Sequence, residues 1–176
     1  MLRQTKIALI FAVALWGSVG ALFNLLDWSG TLASVNLATS MSTIEGGQEG
    51  WQATSSMIVT WLGALFILWA KILSAAFCWF GAHRMWSART ARTEYFSVAK
   101  QPALVGCGIA VFMLFSGFIV IAESFFELWR SELLRPIALE SAFRYGAMIS
   151  LIAIFVAQPE SEPALEAFEL ANKGTE

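Results

Sequence analysis

Hydrophobic residues along the chain are gathered into four long stretches that polar segments separate. The stretches cover residues 6–26, 57–82, 103–126 and 141–157, and each is close to the roughly 20 residues needed to cross a hydrocarbon core. A soluble fold with four such stretches would have too little polar surface to cover its core. The pattern therefore predicts an all-α polytopic membrane protein, a bundle of four transmembrane helices.

The loop between the first two stretches carries a helical pattern of its own. Five apolar residues recur there at roughly helical spacing among Ser, Asn and Thr: Leu32, Val35, Leu37, Ala38 and Met41. This spacing is typical of a short amphipathic helix that lies on the membrane surface or between spans.

The segment after the fourth stretch is acidic and predicts a second short helix. Leu165 and Phe168 share one helical face, and Pro163 fits a first-turn position, so we expect a tail helix over 163–172. The chain is thus predicted to consist of a transmembrane domain, 1–158, and an acidic cytoplasmic tail, 159–176.

Basic residues are distributed unequally between the segments that join the spans. Most lie before the first span, between the second and third, or after the fourth: Arg3, Lys6, Arg84, Arg89, Arg92, Lys100 and Lys173. The loop over 28–56 has none, and Arg130 and Arg135 weaken this asymmetry without reversing it. Because cytoplasmic loops retain Lys and Arg, both termini are predicted to be cytoplasmic.

The N-terminal segment also fits a cleaved signal peptide. Arg3 and Lys6 precede an apolar run, and small residues such as Gly17 and Ala21 stand where a cleavage site would lie. The apolar run continues to Leu26 and reaches spanning length. We therefore favour a retained first helix.

The composition argues against several classes of function. Apolar residues make up 57% of the chain and the net charge is −2, so no nucleic-acid partner is expected and the bilayer is the first partner. A haem held by two histidines is excluded because His83 is the only histidine. Cys78 and Cys107 lack metal-ligand spacing and are predicted to be small buried residues. No catalytic motif is present, so we expect a non-catalytic protein without cofactor or metal.

A charged residue near the centre of the second span is the clearest candidate for a special role. Lys71 lies there, and a charge at that depth costs about 2.5 to 3.5 kcal/mol even on insertion scales. Two interpretations stay open. Lys71 is either a structural charge that pairs with a carboxylate or with carbonyl groups, or a residue of a transport or proton path.

The ends of the spans opposite the basic loops carry a second candidate set. Its members are Asn24, Asp27, Glu123, Glu127 and Arg144. Arg144 can pair with Glu140 four residues before it, or across the bundle with Asp27 or Glu123. Since Glu140 lies nearer to water, we expect the pair across the bundle and a polar cluster around it.

Small residues at four-residue spacing mark one face of each span. They are Gly17 and Ala21; Ala70, Ser74 and Cys78; Gly106 and Ala110; and Ala142, Gly146 and Ser150. Such faces let helices approach closely. They serve either internal packing or binding of a protein partner, for which the tail helix is the other candidate surface.

Several short motifs occur in the same order as in the pattern of one family. They are AESFFELWRS over 122–131, AFRY over 142–145, NLLD over 24–27, SMST over 40–43 and CWFGA over 78–82. In these residues the chain is similar to a bacterial family of predicted small integral membrane proteins of unknown function. The resemblance covers roughly residues 6–160 and implies four spans in the bacterial inner membrane, without an activity to transfer.

Two positions depart from the pattern of that family. An acidic residue is common where Lys71 stands, and a histidine is common near Leu37. A shared role of these positions is therefore not carried over to this chain.

Two functions remain in competition. The absence of a catalytic constellation and the small-residue faces favour a non-catalytic accessory or interaction subunit of a membrane assembly. The rival is transport of a small solute or of protons through an oligomeric bundle, with Lys71 inside and carboxylates at the mouth.

Overall fold

Helices account for nearly all of the regular structure in residues 1–159, the part of the chain that the computed structural model describes. Six of them are α-helices: α1 (Leu2–Leu26), α2 (Trp28–Thr39), α3 (Met57–Ser87), α4 (Thr93–Ala99), α5 (Gln101–Phe112) and α6 (Glu140–Ala157). Two π-helical segments, Met113–Phe125 and Arg135–Leu139, and two 3₁₀ turns, Gly47–Glu49 and Leu128–Arg130, complete the set.

Four helical units are long and apolar enough to cross a membrane. They are Leu2–Leu26, Met57–Ser87, Thr93–Phe125 and Arg135–Ala157, and we refer to them as the first to fourth spans. The four predicted spans are therefore confirmed, although each helical unit continues past its apolar stretch at one end. The predicted tail helix lies outside the described residues.

The loop helix is also present, and an aspartate fixes where it begins. Asp27 ends α1, and its Oδ1 accepts a hydrogen bond of 2.9 Å from the backbone N–H of Gly30. This is the N-cap arrangement that satisfies a free donor in the first helical turn. Helix α2 therefore starts at Trp28, directly after the first span, and packs against α3 through the ring contact of Trp28 with Trp61.

Helix α3 occupies the centre of the bundle and touches its neighbours where side chains are small. A Cβ added to Gly17 of α1 would lie 3.1 Å from the Cβ of Ala75 and 3.2 Å from the backbone oxygen of Lys71. On the other side, a Cβ on Gly106 of α5 would lie 2.9 Å from the backbone oxygen of Ser74. The small-residue faces of these helices are thus used for packing within the chain.

Both cysteines lie in this central interface. Cys78 and Cys107 are fully buried and free, and the thiol of Cys78 faces the backbone oxygen of Ala103 at 3.8 Å. Their prediction as small buried residues is confirmed.

The two ends of the bundle differ in charge, and we name them accordingly. The basic end carries the start of α1, the loop after α3 and the end of α6; the acidic end carries α2 and the segment between the third and fourth spans. At the acidic end, Ser131 donates a 2.8 Å hydrogen bond to the hydroxyl of Thr43, and Arg130 donates to the backbone oxygen of Glu45. These bonds join the two loops.

Substitution of Gly106 and of Gly108 should show the difference between a glycine that is packed against a helix and one that is in open space. Gly106→Ala places a methyl group against the backbone of α3 and should lower stability by about 1–3 kcal/mol, because the backbone has to move. Gly108→Ala meets no atom within 4 Å and is the matched control. Thermal unfolding in detergent measures both, and equal midpoints for the two variants would contradict the close contact between α3 and α5.

The orientation of the bundle stays a prediction, and single cysteines can test it. Gln48 at the acidic end and Thr90 at the basic end are both exposed, whereas the native cysteines are buried. A membrane-impermeant maleimide added to intact cells should label Gln48→Cys and leave Thr90→Cys unmodified, because basic loops remain in the cytoplasm. Labelling of Thr90→Cys alone would reverse the assignment.

Candidate site around Lys71

The backbone of Lys71 lies near the middle of α3, but its amine lies closer to the acidic end. The side chain runs along α1 towards the acidic end, and Nζ donates a 2.8 Å hydrogen bond to Oδ1 of Asn24. Asn24 stands two residues before the end of α1. The lysine thus carries its charge from mid-membrane towards the acidic end, as long cationic side chains do in spans.

A glycine on α1 makes this path available. A Cβ on Gly20 would lie 3.3 to 3.4 Å from Cδ, Cε and Nζ of Lys71, tighter than ordinary van der Waals contact. Gly20 and Asn24 are four residues apart and therefore share a helix face. One face of α1 thus supplies both the space for the lysine stem and the acceptor for its amine.

A cleft of about 520 Å³ opens beside Lys71, between the first and fourth spans. The π-helical part of the third span forms its back wall with Leu114 and Phe118. At the two edges of its opening, Val19 of α1 is 48% exposed and Ile137 of the fourth span is 66% exposed. The cleft therefore opens sideways onto the outer surface of the bundle.

The polar groups of the cleft come from the second and fourth spans. Lys71 supplies an amine, and the fourth span supplies the hydroxyls of Ser141 and Tyr145. The ring of Tyr145 packs on Trp16 at 5.7 Å between centroids. Among the described residues that line the cleft there is no carboxylate. The cleft thus combines apolar walls with one cation and two hydroxyl groups.

The bundle is closely packed on the side of Lys71 that faces the basic end. Ile10, Val13 and Ala14 of α1 and Ala103 and Cys107 of the third span are at most 3% exposed and belong to one core cluster. The cleft therefore ends within the membrane, and this packing separates it from the basic end.

The predicted polar cluster at the acidic end does not form a connected set. Asn24 binds Lys71, and Asp27 caps α2. Glu127 forms an ion pair of 2.7 Å with Arg130 and accepts a 3.4 Å hydrogen bond from Gln52. Asn24 thus binds a side chain of the second span, whereas Asp27 and Glu127 find partners that are near in the chain or on an adjacent loop.

The predicted pair between Arg144 and Asp27 or Glu123 does not form, and the prediction was wrong. Arg144 is exposed, and its Nη2 donates a 3.1 Å hydrogen bond to the hydroxyl of Ser141. No described carboxylate lies within ion-pair distance of it. The prediction failed because Arg144 lies on the outer side of α6, from where its long side chain reaches solvent or headgroups without crossing the bundle.

Sequence reasoning missed a buried pair of lysines at the basic end. Lys6 is fully buried and Lys100 is 3% exposed, and both donate to the backbone oxygen of Gln158, at 2.9 and 3.0 Å. Gln158 ends α6, where cations stabilise the partial negative charge of the helix terminus. Helical spacing from Lys6 to Ile10 and Gly17 was the available signal, because it places Lys6 on the buried face of α1.

The bond between Lys71 and Asn24 can be measured with a double-mutant cycle. Asn24→Ala removes the acceptor of a charged donor and should cost about 1.5–3 kcal/mol. Lys71→Met should make the second substitution nearly neutral, since no amine remains to be satisfied. Thermal unfolding in detergent gives the coupling free energy between the two side chains. Arg144→Ala is the control and should lower stability by about 0–1 kcal/mol. Additive effects would show that the two side chains do not interact.

Comparison with family models places nearly the whole described region in one family. The model described as "Predicted small integral membrane protein (DUF2165)" matches residues 2–159. Comparison with curated proteins and with solved structures gives no significant match. The motifs noted in the sequence and the four spans of the structure agree with that description. The chain therefore belongs to the DUF2165 family of predicted small integral membrane proteins.

Proposed function

We propose that this protein is a non-catalytic subunit of a membrane assembly, which binds a transmembrane helix of a partner protein through a groove on its lipid-facing side. The proposal is supported by one observation, the shape of the surface between α3 and α5. The four spans establish only that the protein is integral to a membrane.

The groove has a volume of about 610 Å³ and is lined by apolar residues alone. Phe66 and Trp69 of α3 form one wall, Val105 and Phe112 form the other, and Gly108 lies between them. The rings of Phe66 and Phe112 meet at 6.4 Å between centroids. These aromatic side chains have few rotatable bonds, so the groove keeps its shape when a partner binds.

The floor of the groove suits a protruding side chain. A Cβ on Gly108 would meet nothing within 4 Å, whereas Gly106 two residues earlier is pressed against α3. Helices associate in lipid through close packing, since lipid tails are as apolar as the helices themselves. A helix that inserts a bulky residue at Gly108 gains contacts that a flat surface cannot offer.

Transport is the second candidate, and the cleft at Lys71 is the observation in its favour. A conducting path has to continue from the cleft to the basic end. The closely packed core around Ile10, Ala14 and Cys107 lies in that direction. We therefore place the subunit function first.

Photocrosslinking at two positions of equal depth tests the proposed partner site. Gly108 lies eight residues from Lys100 and Leu151 seven residues from Gln158, and Lys100 bonds to Gln158. A photoreactive amino acid in place of Gly108 should give a protein adduct in cells. The same amino acid in place of Leu151, which is 60% exposed and outside the groove, should give none.

A filled groove provides the control for this experiment. The protein identified in the adduct should also co-purify with the unmodified chain and be lost from Gly108→Trp, whose side chain occupies the groove. Gly108→Trp should keep the unfolding midpoint of the unmodified chain, because the site is open. Equal protein adducts at both positions, or equal recovery with Gly108→Trp, would refute the groove as the partner site.

A further inference from the structure

We propose that the cleft between the first and fourth spans is a binding site for a single-chain amphiphile with a carboxylate head, such as a long-chain fatty acid. The carboxylate lies on the amine of Lys71, and the hydrocarbon chain runs along the apolar walls and leaves through the lateral opening. This site is separate from the groove between α3 and α5.

The charge of the cleft selects an anion. Lys71 is the one cation among the described residues that line it, and that lining contains no carboxylate. Among the described residues, Nζ makes one hydrogen bond, to the neutral amide of Asn24. An ammonium group has three N–H donors, so two stay available for a ligand. Ser141 and Tyr145 also line the cleft, and each hydroxyl has one O–H donor for a second oxygen, since the hydroxyl of Ser141 only accepts in its bond with Arg144.

The apolar part of the cleft selects a hydrocarbon chain. Trp16, Leu114, Phe118 and Ile137 line it, and the volume of about 520 Å³ falls within the range of about 300–1,000 Å³ found for small-molecule sites. The edges of the opening are exposed on the outer surface, which lipid covers in a membrane. A ligand can therefore enter from the bilayer without passing through water.

The number of cations favours a carboxylate over a phospholipid head. Lys71 is the one cation among the described residues that line the cleft, and Arg144 bonds to the hydroxyl of Ser141 from the exposed side of α6. Sites for acidic phospholipids use clusters of basic residues, so a lining with one amine favours the smaller carboxylate head.

The backbone around the cleft is unusual in a way that agrees with a binding site. Both π-helical segments contribute to the lining, Met113–Phe125 with Leu114 and Phe118, and Arg135–Leu139 with Ile137 and Ala138. In the first segment the backbone N–H of Phe126 bonds to the oxygen of Ile121, five residues earlier. Such turns occur frequently at functional sites.

Binding of radiolabelled palmitate to the purified protein in a neutral maltoside detergent tests the proposal. We expect saturable binding that unlabelled palmitate displaces, and that neither methyl palmitate nor phosphatidylglycerol displaces at the same concentration. Lys71→Met, which keeps the length of the side chain without its charge, should weaken binding at least about tenfold, because charge-assisted hydrogen bonds are lost.

Two further variants distinguish loss of the binding site from loss of the folded structure. Val19→Trp leaves Lys71 in place and fills the mouth of the cleft from an exposed position, so it should weaken binding to the same degree. Leu151→Trp, which places the same ring on an exposed position of α6 outside the cleft, should bind palmitate as the unmodified chain does. Size-exclusion profiles and unfolding midpoints verify the fold of each variant, and Val19→Trp decides the question if Lys71→Met does not fold.

Three outcomes would overturn the proposal. They are the absence of saturable palmitate binding, unchanged affinity in both Val19→Trp and a folded Lys71→Met, and displacement of palmitate by phosphatidylglycerol at lower concentration than by palmitate itself. The last result would assign the cleft to an acidic phospholipid.

Discussion

Helix α3 touches α1 and α5 at the level of the backbone, and the arrangement of the remaining spans depends on these two contacts. In lipid, helices gain nothing from hiding apolar side chains from their surroundings, so close packing has to hold them together. Gly17 and Gly106 make that approach possible on the two sides of α3. As a result, the small residues are used inside the chain, and large apolar residues such as Trp69 and Phe112 form the surface that faces lipid.

The same closeness determines where the charge of Lys71 goes. With α1 packed on α3 at Gly17, the lysine stem lies against the neighbouring helix and follows it over Gly20 to Asn24. A charge at mid-bilayer is costly, and a long flexible stem lowers that cost by carrying the amine towards the interface. A residue placed centrally in the sequence of a span therefore acts at one end of the bundle.

The sequence predicted those features that depend on a single segment. Apolar length gave the four spans, helical spacing gave the loop helix, and the burial of Cys78 and Cys107 was predicted because both lie within apolar stretches and lack metal-ligand spacing. The partners of charged groups were harder to predict, because they depend on how each helix is rotated about its axis. Arg144 could face the bundle or the membrane with equal support from spacing, and a rotation of half a turn separates the two.

The buried lysines show the other limit of sequence reasoning. Lys6 and Lys100 were counted as ordinary basic residues of flanking segments, yet both bond to the backbone oxygen of Gln158. That acceptor exists only because α6 ends beside the start of α1, which is a contact between distant parts of the chain. Local patterns reveal that a residue is on a buried face, but the group it meets there is a property of the assembled fold.

The cleft and the groove are both open to the membrane, and neither stays empty in a bilayer. An apolar cavity that loses its contacts forfeits dispersion energy, so lipid chains fill any space that reaches the surface. In the groove the lining residues are apolar, so the proposed partner helix would compete with lipid tails by shape alone. In the cleft the amine of Lys71 adds a charge that an ordinary lipid tail cannot satisfy. If both proposals hold, selectivity at the cleft rests on the head group of the occupant, and selectivity at the groove rests on how well the partner helix packs.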